Sequence, residues 1–109
     1  MPIERVTDAL LIILWVLLQR PDDEHYGYAI AKETGLTGAR VQQTLARLEA
    51  EEWLTSRVET IDPHEAGRRP RKLYKFTASG VQAAAALVAE HAPRRRLTHS
   101  ILGRLSWSG

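Results

Sequence analysis

An unbroken apolar run, Ala-Leu-Leu-Ile-Ile-Leu-Trp-Val-Leu-Leu at Ala9–Leu18, stands near the start of the chain. Thr7 or Asp8 can cap a helix there, and Pro21-Asp22-Asp23 ends it near Arg20. Such a helix is apolar on every face, more than one buried face of a small domain can use. The economical arrangement buries it between two protomers; the alternative encloses it at the centre of one. His25–Thr34 reads as a second helix, with Tyr28, Ile30 and Ala31 facing inward and Gly35 at its stop. Thr37 is placed to cap a third helix through Glu51, with Val41, Leu45 and Leu48 at i, i+4 and i+7. The period then changes. Thr55–Ile61 is rich in β-branched residues, Asp62-Pro63 opens a loop through Gly67 to Pro70, and Lys72–Thr77 alternates as a returning strand. Ser79 opens an alanine-rich helix to about His91, before Pro93. The tail Arg94–Gly109 carries Leu97, Ile101, Leu102, Leu105 and Trp107 at roughly helical spacing, as a short dimerising helix or as a basic arm.

The order helix, helix, turn, helix, strand, basic loop, strand, helix predicts a mainly α fold with a small β-hairpin (α+β), a winged helix-turn-helix. Residues 1–92 would form this domain and 93–109 its basic C-terminal tail. Ala31, Gly35 and Val41 fall where a helix-turn-helix needs a small residue, a turn glycine and an aliphatic. Outward positions of the third helix (Thr37, Arg40, Gln42, Gln43, Thr44 and Arg47) are hydroxyl, amide or cationic, and no carboxylate precedes Glu49. That surface suits a major groove, where Gln pairs with adenine and Arg with guanine. Arg40, Gln42 and Gln43 are assigned to base edges. Thr37, Thr44 and Arg47 are divided between bases and phosphates. Arg68, Arg69, Arg71 and Lys72 put four of the chain's fifteen Lys+Arg into five residues at the hairpin tip, as a wing that presses cations on phosphate. One tyrosine hydroxyl of the second helix, with Tyr26 the candidate, can reach a phosphate as that helix crosses the backbone.

Composition narrows the alternatives. With 109 residues, 44% hydrophobic and 26% charged, the chain is one ordinary small domain. Its net charge of only +2 says nothing about partners, but base and acid are segregated, with acid at Asp22–Glu24 and Glu49–Glu52. There is no cysteine, which excludes a disulfide scaffold and permits a reducing, cytoplasmic setting. The first apolar run is shorter than the ~20 residues needed to span a bilayer, and no membrane partner is expected. No nucleophilic triad or phosphate-binding glycine loop is visible, so no enzyme and no cofactor are expected. Asp62, His64 and Glu65 imitate a metal site without a second histidine at ligand spacing, and are read as solvated loop.

Three segments resemble PadR-type transcriptional regulators. These are Tyr26-Gly27-Tyr28-Ala29-Ile30, Leu45-Ala46-Arg47-Leu48-Glu49, and Arg69-Pro70-Arg71-Lys72-Leu73-Tyr74-Lys75-Phe76-Thr77 with Gly80. Gln42 departs from the family's usual tyrosine, and Glu52 from the glycine that usually ends the third helix. The resemblance implies a homodimer on double-stranded DNA, an inverted-repeat operator and repression. It also implies a small aromatic effector near the dimer interface, where Trp15 would line the pocket. Two other readings stay open. One is a winged-helix protein-interaction module using the apolar first helix and the acidic Glu49–Glu52 patch. The other is a ligand sensor regulated through the dimer core.

Overall fold

The structure, a computed structural model, describes residues 5–91. The tail 93–109, including Arg94–Arg96, lies outside the described residues. Among the described residues, five helices and one hairpin follow in the order α1 (Asp8–Leu18), α2 (Gly27–Thr34), α3 (Gly38–Ala50), β1 (Leu54–Val58), α4 (Pro63–Ala66), β2 (Lys72–Phe76) and α5 (Ala78–His91). The architecture is mainly helical with a two-stranded antiparallel sheet, as the periodicities predict. No helix among the described residues is long and apolar enough to cross a membrane.

Thr7 caps α1, its Oγ1 accepting the Leu10 N–H at 3.1 Å. The burial of this helix corrects the preferred expectation, a seam between two protomers, in favour of the alternative, enclosure at the centre of one. Leu10, Leu11, Ile13, Leu14 and Leu17 are fully buried within the single chain, and Ala9, Ile12 and Val16 are no more than 4% exposed. Helices α2, α3 and α5 all pack on α1, which makes it the central helix of the protomer. Ile30, Val41, Leu45, Leu48, Trp53, Tyr74, Phe76, Ala84 and Val88 complete the same core. A helix surrounded on several sides has no polar face to keep, which is why the run is apolar all round.

Helix α2 starts later than its sequence suggests. His25 is not helical but extended, exchanging backbone hydrogen bonds with Tyr74 at 2.8 and 2.7 Å. Its ring is buried, and the Nε2–H donates to the Arg20 carbonyl at 3.0 Å. This bridge satisfies polar groups that would otherwise be stranded beside the hairpin. Gly35 ends α2 at φ 78°, its N–H donating to the Ala31 carbonyl at 2.8 Å. Thr37 then caps α3 by accepting the Arg40 N–H at 3.1 Å.

At the other end of α3, the Trp53 N–H reaches the Leu48 carbonyl at 3.0 Å and the Glu52 N–H reaches the Glu49 carbonyl at 2.9 Å. This is a Schellman closure, and Glu52 holds its left-handed position at φ 65°. The hairpin pairs Leu54 with Phe76 through to Val58 with Lys72. Beyond Val58 the expected strand gives way to a short helical turn where the sequence suggests open loop. Asp62 accepts the His64 N–H at 3.0 Å, Pro63 supplies the first helical φ, and Gly67 closes at φ 70°. Thr77 caps α5 through the Gly80 N–H at 2.9 Å. A β-carbon on Gly80 would lie 2.0 Å from the Trp53 carbonyl oxygen, so glycine is what lets α5 close on the strand.

Candidate nucleic-acid interface

Helix α3 presents its amino-terminal half to solvent because its core stripe, Val41, Leu45 and Leu48, faces α1 and α2. Thr37, Arg40, Gln42 and Gln43 are all exposed, and its first turn has no acid. Thr44 is a correction. It is 7% exposed, and its Oγ1–H donates to the Arg40 carbonyl of its own helix at 2.9 Å. Three residues after Val41 and four before Leu48, it falls on the inward stripe. Arg47 is half-buried, and its guanidinium donates to the Arg5 carbonyl, tying the N-terminal segment to α3.

The basic residues of the hairpin occupy distinct settings. Arg69 is exposed. Arg68 instead forks onto Glu59, Nη1 to Oε1 at 2.7 Å and Nη2 to Oε2 at 3.2 Å. The same Glu59 Oε1 accepts the Arg71 backbone N–H at 2.8 Å. Arg68, foremost, and then the Arg71 amide hold the Glu59 carboxyl down at about 2. Arg71 lays its guanidinium 4.1 Å from the centre of the Tyr26 ring. Lys72 approaches Glu49 of α3 at 3.6 Å, and the Ser56 hydroxyl donates to the other oxygen of that carboxylate at 2.5 Å. Glu49 thereby docks the hairpin on the carboxyl half of α3.

These contacts bring three segments around one open recess of about 240 Å³, lined by Tyr26, Gly27, Tyr28, Gln42, Arg71 and Lys72. Its lining contains two cations, two phenols and an amide, and no carboxylate. Gly27 sits against Gln42 so closely that a β-carbon there would meet its Nε2 at 2.4 Å. Such a donor-rich hollow beside the exposed face of α3 suits a polyanion backbone.

Three participants were not assigned to the site from sequence: Tyr28, Glu59 and Glu49. Tyr28, expected inward, is 68% exposed, with the Lys32 ammonium 5.7 Å from its ring centre. Its position two residues before buried Ile30 puts it on the opposite helix face, a signal the period contained. Glu59 and Glu49 carried no such signal, because their roles depend on strand pairing. Trp15 is half-buried and packs against the core. Its indole N–H is buried without a hydrogen-bond partner among the described residues.

No protein-family model matches the chain, and no curated protein matches it in sequence. Similarity to solved structures is extensive. A PadR family transcription regulator from hypervirulent Clostridium difficile superposes with a TM-score of 0.64 at 22% identity, over 89% of this chain and 100% of that one. A MepR point mutant from a multidrug-resistant Staphylococcus aureus clinical isolate gives 0.63 at 21% identity, over 93% of this chain and 66% of that one. A second S. aureus MepR mutant, bound to an oligodeoxyribonucleotide, gives 0.59 at 25% identity, over 81% and 62%. The chain thus spans slightly less than two thirds of the MepR structures. Its own hairpin, helical turn and buried α1, together with these superpositions, define a winged-helix protein.

Proposed function

We propose that the protein is a DNA-binding transcriptional regulator that inserts α3 into the major groove. The observation that carries this reading is the carboxylate-free exposed half of α3 flanked by the recess containing Arg71 and Lys72. Arg40 and Gln43 would meet base edges. Gln42, at the rim of the recess, would bridge a base edge and the backbone. Arg69 and Arg71 would contact phosphates on either side. The MepR structure bound to an oligodeoxyribonucleotide adds support by fold alone. The PadR resemblance extends the proposal to a homodimer, an inverted repeat and repression. Because α1 is enclosed, the dimer surface would lie elsewhere on the chain.

Selection of bound duplexes from a random pool tests the proposal at about 150 mM salt. The expected result is an inverted repeat whose half-sites stand about ten base pairs apart, as two recognition helices ~34 Å apart require. A single half-site would overturn the dimer, and an absence of retained DNA would overturn the function.

A further inference from the structure

Glu59 is an acid at the centre of a basic wing. Electrostatics alone would count it a defect, since any carboxylate facing DNA repels phosphate. Its geometry says otherwise. Its two oxygens take both terminal nitrogens of Arg68, and Oε1 also takes the Arg71 N–H. Its own N–H donates to the Arg71 carbonyl at 2.9 Å, so side chain and backbone of one residue grip both polar groups of the Arg71 main chain. Arg68 Nη1 also donates to the Arg69 carbonyl at 3.1 Å. The chain from Arg69 to Arg71 is therefore fastened at both ends to one ion pair, while the Arg69 side chain stays exposed and the Arg71 guanidinium rests on Tyr26.

Resting on the DNA-binding reading above, we infer that Glu59, with Arg68, is a positioning residue that holds Arg69 and Arg71 where they meet phosphate. It follows that deleting this acid weakens DNA binding although it makes the wing more basic. Ordering the two arginines before binding removes an entropic penalty that a loose wing would meet on the DNA. Depressed to about 2, the Glu59 carboxyl is ionised at every pH where binding would be measured.

The test compares Glu59→Ala with Glu65→Ala in the full chain, on a labelled mixed-sequence duplex at about 150 mM salt. Glu65 is an exposed acid of the same wing, on α4. Both substitutions remove one negative charge, but only the first removes the clasp. Glu65→Ala is expected to leave affinity unchanged or tighten it, and Glu59→Ala to weaken it roughly fivefold while the chain, though less stable, is still folded at the assay temperature by circular dichroism. Equal tightening by both would overturn the inference while leaving DNA binding intact. Failure of the unaltered chain to bind any duplex would overturn the DNA reading and the inference with it. A second comparison uses Arg69→Ala/Arg71→Ala as background, at lower salt. There Glu59→Ala should no longer weaken binding, because the side chains it positions are gone. A full, additive loss in that background would show that Glu59 acts by another route.

Discussion

At the end of α3, Glu52 takes φ 65°, a left-handed conformation that a residue with a β-carbon adopts at a cost of about 1 kcal/mol. Its N–H completes the Schellman closure and its carbonyl accepts the Thr77 hydroxyl at 2.9 Å, so the conformation is held from both sides. Replacing it with glycine keeps both backbone contacts and removes the strain. Glu52→Gly should raise stability by about 0.5–1 kcal/mol in urea unfolding, and a lower midpoint would contradict the strain. Glu59 makes a second residue-level prediction. Its carboxyl titrates at about 2, lowered from an ordinary 4.5 by Arg68 and the Arg71 amide. A depressed carboxylate contributes stability that is complete above 4.5 and is lost as pH falls towards 2. Carbon-detected NMR titration should therefore give Glu59 a midpoint near 2, with wing amides losing protection over the same interval. A midpoint at the ordinary value would mean the clasp is not formed in solution.

Helix α3 has two faces that the pattern of residue types only partly separates. Glutamine and arginine are assignable outward from the sequence because neither belongs on the Val41–Leu45–Leu48 stripe. Threonine is ambiguous, since its methyl group tolerates burial and its hydroxyl can bond back to the helix. Thr44 does both, whereas Gln43, one residue earlier, is exposed. The two neighbours should separate in experiment. Gln43→Ala should cost roughly 1–3 kcal/mol at one base position, whereas Thr44→Val should leave the selected motif unchanged. If Thr44→Val instead relaxed the motif, α3 would be rotated from the orientation described. The hairpin shows the same division between legible and hidden. The basic run and its flanking alternation mark a wing, but the partition of its cations does not follow from composition. Arg68 is drawn inward by Glu59, nine residues away in sequence and adjacent only after the strands pair.

Over the whole molecule, local signals are readable where one chemical constraint dominates. Thr7, Thr37 and Gly35 mark helix ends through hydrogen bonds that few other residues can make, and the structure places each cap there. His25 misleads in the sequence because its extended backbone is set by Tyr74, a partner from the far side of the hairpin. The apolar run of α1 is legible as a helix but ambiguous in its surroundings, since a centre of one protomer and a seam between two demand the same residues. The enclosure of α1 resolves this within the chain, and it makes a quantitative distinction. Leu14 is fully buried in the core shared by α1 and its neighbours. Truncation should leave a cavity that costs about 2–5 kcal/mol of folding stability. Because the side chain contributes to one protomer's interior, Leu14→Ala should leave unchanged any self-association that sedimentation detects under folding conditions. Weakened association in a chain that is still folded would return α1 to the interface and overturn its assignment as the central helix.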